Sequence, residues 1–259
     1  MALVEKTLTG KTGVLQLNRA EKHNSLSGEL MRELTAGLDD LAADGVRVIV
    51  IRAAPGVKVW SAGHDINEIP EPRRDPLGYF DALETLLRKV QDCPVPVIAM
   101  VEGSVWGGAC DLCAACDLII AAHGATFAMT PAKIGIPYNA SGLVHFTNLI
   151  GVHKAKEMFF TAQPVAAADA WNNGFVNHVV APEELESFTM DIAGAIAGNA
   201  PLAVQSLKAE FRLLTRGHSI DAETAGEIQA VRRKVYDSED YAEGIRAFKE
   251  KRAPKFQGK

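Results

Sequence analysis

Thr12-Gly-Val-Leu-Gln-Leu-Asn18 alternates apolar and polar positions, a period of two that predicts a strand with one face buried. After the polar loop Arg19-Ala-Glu-Lys-His-Asn24, the period lengthens: Leu30, Leu34, Leu38 and Leu41 fall on one helical face, Ser27 stands ready as its N-cap, and Gly45 ends it. Val46 to Arg52, Pro96 to Glu102 and Asp117 to Ala122 are short, nearly continuous apolar runs, the signature of strands covered on both faces. Phe80 to Val90 is amphipathic with a helical period and stops before Pro94. Strand, loop and helix alternate from residue 12 to about 180, which predicts an α/β core.

Beyond Val180 the pattern changes. Pro182 to Ala197, Pro201 to Thr215, Ile220 to Val235 and Asp240 to Lys251 are four helical patterns with almost no strand signal, and Pro201 suits a first helical turn. Between the strands, Pro70-Glu-Pro-Arg-Arg-Asp-Pro76 reads as a solvated connector or a lid.

Composition narrows the function classes. The chain has 259 residues, 47% of them hydrophobic, enough for one large core, and its net charge of −5 argues against nucleic acid as a partner. No apolar run approaches the ~20 residues of a membrane span, and the N-terminal residues lack a signal-type apolar stretch, so the cytoplasm is the expected compartment. Cys110, Cys113 and Cys116 have the C-x2-C-x2-C spacing of part of a ferredoxin motif, but Asp117 follows where that motif needs further ligands. They sit in a small-residue helical pattern, where free cysteine behaves as a small apolar side chain. The histidines show no ligand spacing, and no metal is expected.

The chemistry concentrates in two stretches. Trp60-Ser-Ala-Gly-His-Asp-Ile66 leaves a strand through small residues that let another group approach the backbone closely. Trp106-Gly107-Gly108 ends a strand at a helix start, where free N–H groups and the helix dipole favour negative charge. No dinucleotide fingerprint, P-loop, G-x-S-x-G elbow or H-E-x-x-H zinc pair is present.

Together, Ser61-Ala-Gly-His-Asp-Ile66, Val101-Glu-Gly-Ser-Val-Trp-Gly-Gly-Ala-Cys-Asp111, Phe127-Ala-Met-Thr-Pro-Ala-Lys-Ile-Gly135 and Glu243-Gly-Ile-Arg-Ala-Phe-Lys-Glu-Lys-Arg252 resemble the crotonase (enoyl-CoA hydratase/isomerase) superfamily. The resemblance implies a crotonase-like spiral of ββα units over residues 1–195 and a helical capping and trimerisation region over 196–259. It also implies an acyl-CoA substrate, with the coenzyme A part of that substrate, and a homotrimer or dimer of trimers. The thioester oxygen would sit between the main-chain N–H groups of His64 and Gly108. Coenzyme A would run along Ala62, Gly63, His64, Asp65 and Ile66, past Gly107 and Gly108, with Lys251 as a phosphate partner and Lys22 and Lys58 as weaker ones.

Two glutamates hold water in the family's hydratases; this chain has Asp111 and Ala132 at those positions. Alanine cannot relay a proton, so hydration by the usual pair is disfavoured. Met129-Thr-Pro-Ala-Lys-Ile-Gly-Ile-Pro-Tyr-Asn139 and Val235-Tyr-Asp-Ser-Glu-Asp-Tyr-Ala-Glu-Gly244 are instead similar to the family's biotin-independent decarboxylases of methylmalonyl-CoA. That similarity implies Tyr138 as the hydroxyl that orients the leaving carboxylate, Thr130 as a substrate contact, and Asp111 or Glu68 as accessory carboxylates. Enoyl-CoA hydration or isomerisation and a catalytically silent acyl-CoA-binding subunit are the competing readings.

Overall fold

The computed structural model describes residues 2–69, 78–215 and 222–258; the expected lid at Pro70–Pro76 lies outside them. Among the described residues ten strands form two sheets: β1 (Val4–Thr9), β2 (Thr12–Leu17), β3 (Val48–Ala53), β4 (Val59–Ser61), β5 (Val97–Val101), β6 (Ser104–Trp106), β7 (Leu118–Ala122), β8 (Thr126–Ala128), β9 (Val165–Ala166) and β10 (His178–Val180). The larger sheet runs β1-β2-β3-β5-β7-β10 and the smaller β4-β6-β8-β9. From β2 to β10 the larger sheet is parallel, with Ile49 opposite Val97 and Ile98 opposite Leu118.

Helices α1 (Gly28–Ala43), α2 (Ala82–Asp92), α3 (Gly108–Ala115) and α4 (Ala140–Thr161) alternate with these strands. After β1, β2 and α1, the turns β3-β4-α2, β5-β6-α3 and β7-β8-α4 each lay one strand in the large sheet, one in the small sheet and then a helix. β3, β5 and β7 pair in parallel without a break in register, and β4, β6 and β8 pair in parallel too, with one irregularity between Val59 and Ser61 of β4. This is the expected ββα spiral.

Burial explains the strand patterns. All six residues of β3 are buried: Ile49 and Ile51 face the main core, while Val48 and Val50 face a second cluster with Leu185 and Ala193 of α6 (Leu185–Gly198). Helix α6 thus runs across the 195/196 boundary expected from sequence and covers the outer sheet face. Ser27 caps α1, its Oγ accepting from the Leu30 amide at 3.3 Å, and Leu30, Leu34, Leu38 and Leu41 are all buried. The second helix begins at Ala82 rather than Phe80; Phe80 precedes it and is exposed.

Three more helices follow α5 (Ala167–Asn172) and α6: α7 (Pro201–Thr215), α8 (Ala222–Tyr236) and α9 (Glu239–Lys249). Lys208 of α7 reaches into the core, where its buried ammonium donates to the Val90 and Val95 carbonyls (3.2 and 3.0 Å) and to Asp117 (2.6 Å). Asp117 also accepts from the Val97 amide at 2.7 Å, so one ion pair ties α7 to the start of β5. Among the described residues no helix is long and apolar enough to cross a membrane.

Candidate active site

The exits of β4, β6 and β8 open on one cleft of about 850 Å³. After Ser61 the chain turns through Gly63, whose φ of +79° is costly for any residue with a Cβ. The loop before α1 buttresses this turn. Asn24 donates to the Trp60 carbonyl (3.0 Å), Ser61 donates to the Asn24 carbonyl (2.7 Å), and Leu26 donates to the Gly63 carbonyl (2.8 Å). The indole N–H of Trp60, donating to the Met100 carbonyl at 2.8 Å, pins the strand itself to the core.

The two glycine-bearing turns touch. A Cβ on Gly63 would press into the Trp106 carbonyl and come within 3.1 Å of the Gly108 nitrogen; a Cβ on Gly108 would lie 3.6 Å from the His64 nitrogen. The amides of His64 and Gly108 therefore stand side by side, and among the described residues neither has a hydrogen-bond partner. Gly108 is also the first residue of α3, so the positive end of that helix lies behind its N–H. Paired, unspent donors at a helix start are suited to an oxygen that gains negative charge.

Ala62, His64, Asp65, Ile66, Gly107, Gly108, Thr130, Tyr138 and Lys251 all line the cleft, as does Lys22. Gly63 lies behind the wall and sets its shape. Asp65 is held by Arg19 at 2.8 Å, and Arg19 also reaches the Ser25 carbonyl and hydroxyl. Burial works to raise the Asp65 carboxyl, but the hydrogen bonds from Arg19 and Asn67 outweigh it and hold the group below its usual range. The His64 ring is lowered below 6.5 chiefly by burial, against the opposing charges of Glu68, Asp81 and Asp65.

The two accessory carboxylates lie elsewhere. Glu68 accepts from the Gly28 amide at 2.6 Å, at the start of α1, and its charge acts on the His64 ring. Asp111 is fully buried behind Tyr138, whose hydroxyl donates to its Oδ2 at 2.8 Å. Its other oxygen faces His145 Nδ1 at 3.1 Å. Sequence spacing missed this histidine, because its partner is 34 residues away on another helix. Nearby, Glu84 accepts from Asn139 and from Ser141 (3.1 Å), and its carboxyl is pushed up by burial and then by the charge of Asp111. Burial, reinforced by Asp111, pushes the Tyr138 phenol well above its usual value, so it stays protonated.

Among the described residues no group of three histidine, cysteine or carboxylate side chains could hold a metal ion. Cys110 and Cys113 are buried as apolar-like side chains, with the Cys110 thiol donating to the Val105 and Ala128 carbonyls.

A family profile described as enoyl-CoA hydratase/isomerase matches residues 9–259. The chain belongs to the enoyl-CoA hydratase/isomerase, or crotonase, family. Among its crotonase relatives, the methylmalonyl-CoA decarboxylase of Escherichia coli is 48% identical over 248 residues, covering 96% of this chain and 95% of that one. The short-chain-enoyl-CoA hydratase of Clostridium acetobutylicum is 32% identical over 245 residues, covering 94% and 93%. A solved methylmalonyl-CoA decarboxylase in complex with 2-nitronate-propionyl-CoA superposes with a TM-score of 0.97 at 46% identity, covering 99% of both chains.

Proposed function

We propose that this crotonase is a carbon–carbon lyase that removes CO2 from methylmalonyl-CoA and releases propionyl-CoA, without biotin or metal. The observation that carries the reading is the pair of free amides at His64 and Gly108, with the neutral hydroxyl of Tyr138 in the same cleft. The 48% identity to a methylmalonyl-CoA decarboxylase supports the choice of substrate.

The thioester oxygen accepts from both amides. When the bond to the carboxylate stands perpendicular to the carbonyl plane, its electron pair flows into the thioester as CO2 leaves. Negative charge then gathers on the oxygen, where one preorganised donor is worth about 3–4 kcal/mol. Without substrate the Tyr138 proton goes to Asp111; with substrate bound, the hydroxyl turns that proton to the carboxylate and holds the pose as a neutral phenol. A cation in its place would stabilise the substrate more than the transition state and slow the loss of CO2. The His64 ring, kept neutral by burial, adds no such cation.

Hydration would need carboxylates poised around a water beside the thioester. The described carboxylates lining the cleft are Glu21 and Asp65, and Asp65 is committed to Arg19. Coenzyme A lies along Ala62 to Ile66, with Thr130 near the acyl group and Lys251 near the phosphates. Leu202, Phe211 and Leu214 of α7 are more than half exposed and fit burial in a homotrimer or dimer of trimers. Four free thiols fit the reducing cytoplasm.

Purified protein mixed with methylmalonyl-CoA and with crotonyl-CoA, followed by mass spectrometry, tests the reading. Propionyl-CoA formed without added biotin is the expected product; hydration of crotonyl-CoA alone overturns it, and binding without turnover leaves a silent acyl-CoA carrier. Tyr138→Phe should cut decarboxylation by about 10²-fold while propionyl-CoA affinity changes little. Equal losses in both would remove Tyr138 from the chemistry.

A further inference from the structure

Loss of CO2 leaves an enolate that must take up a proton at C2, and the geometry behind Tyr138 points to its source. Tyr138 is the link between the cleft and a buried chain of polar groups: its hydroxyl meets Asp111 Oδ2 at 2.8 Å, and Asp111 Oδ1 meets His145 Nδ1 at 3.1 Å. The far ring nitrogen of His145 lies 2.6 Å from Gln91 Nε2. Asp111 is wholly buried, whereas the His145 side chain keeps 23% of its surface exposed. Asp111 and His145 lie outside the cleft lining, so substrate reaches them only through the phenol.

We propose that His145 and Asp111 form a proton wire that reloads Tyr138 after the phenol has protonated the enolate. The proposal rests on the decarboxylase reading above. As CO2 departs, the electron pair left in the enolate forms the new C2–H bond with the Tyr138 proton. The resulting phenolate is reprotonated by Asp111, which takes the Nδ1 proton of His145 on Oδ1 and turns about its Cβ–Cγ bond to hand it on. His145, left neutral with its Nε2–H, swings its partly exposed ring to take a water proton on Nδ1 and swings back to Asp111. In sum, one solvent proton and one substrate carboxylate become a C–H bond and CO2.

The electrostatics suit each station. A thioester α-carbanion is a much stronger base than a phenolate, so the first transfer runs downhill even from a phenol whose acidity is suppressed. The groups facing His145 are Asp111 from α3, with Glu84 and Gln91 from α2. Burial works to lower His145, but the hydrogen bond to Asp111 and the charges of Asp111 and Glu84 outweigh it and raise the group, favouring a loaded imidazolium, whose Nε2–H the Gln91 amide accepts by turning its oxygen in place of its nitrogen. His145 is a positioning and relay residue rather than one that touches substrate.

The test follows two reactions of the full chain in D2O: CO2 release from methylmalonyl-CoA, and wash-in of deuterium at C2 of propionyl-CoA, which needs no CO2 loss. His145→Ala should lose about 10²-fold in both, with KM for methylmalonyl-CoA and the melting temperature little changed. Imidazole added to the His145→Ala protein should restore much of the loss, because it can occupy the vacated, partly exposed site. His145→Gln keeps a donor toward Asp111 but carries no mobile proton; it should show the same loss without rescue. Wash-in at the wild-type rate in His145→Gln overturns the wire while leaving decarboxylation standing. So does a His145→Ala loss that imidazole cannot rescue and that a fall in melting temperature accompanies. A wild-type chain that releases no CO2 overturns the decarboxylase reading and the wire with it.

Discussion

Gly63→Ala is the sharpest test of the paired amides, because it adds one methyl and no polar group. The new Cβ would be 3.1 Å from both the Trp106 carbonyl carbon and the Gly108 nitrogen, with the Trp106 oxygen nearer still. These are main-chain atoms, so no side chain can swing aside. To restore ordinary carbon–oxygen contact the two turns must part by about 1 Å. The positive φ at this position adds roughly 1–2 kcal/mol of backbone strain. A thioester oxygen cannot then sit at about 2.9 Å from both nitrogens, and one donor is lost, worth about 3–4 kcal/mol or 10²–10³ in kcat. The melting temperature should fall by about 5 °C from strain of this size. Steady-state CO2 release from methylmalonyl-CoA and a thermal melt measure the two effects. A Gly63→Ala protein that melts lower but keeps kcat within about threefold would refute the amide pair as the seat of catalysis.

Three further outcomes follow from the packing and the charges. Glu84 binds its proton more tightly in the folded chain than in the unfolded one, which favours folding below the ordinary carboxylate value near ~4.3 and loses that contribution as pH rises through the raised value. Glu84→Gln should therefore melt a few degrees higher than the parent at pH 7, with the margin closing toward pH 4; a margin independent of pH would contradict the assignment. Lys208→Met leaves the Val90 and Val95 carbonyls without their buried ammonium partner and breaks its ion pair with the partly exposed Asp117, a cost of about 2–3 kcal/mol that should lower the melting temperature by about 5–10 °C in calorimetry. Burial pushes the thiols of Cys110, Cys113 and Cys116 far up, so the native protein should resist iodoacetamide at these three positions and keep full activity in chelator, with labelling only on unfolding.

The long periodic elements were legible from sequence because burial alone dictates their patterns: the leucine face of α1, the apolar runs of β3, β5 and β7, and α7 from Pro201 to Thr215. The first strand was not, since five of its six residues are exposed and it is held by pairing with β2. The small sheet escaped for another reason: β4, β6 and β8 are three residues each, too short to show any period. At the site, the motifs indicated which backbone turns would meet. They could not show that Asp111 lies behind Tyr138, that Glu68 caps a helix, or that His145 completes a chain of hydrogen bonds, because each depends on contacts between residues far apart in sequence.

The three stacked strands of the small sheet divide labour in a way that matters for altering this protein. The exits of β4 and β6 present main-chain amides, which no side-chain substitution can delete without moving the backbone. The exit of β8, from Thr130 to Tyr138, presents side chains, which can be exchanged one at a time. On the decarboxylase reading proposed above, enolate stabilisation would be a fixed platform, and the choice of what is done to the enolate a replaceable module beside it. Libraries seeking new acyl-CoA reactions should diversify residues 130–138 and the start of α4, and leave 60–64 and 106–108 untouched.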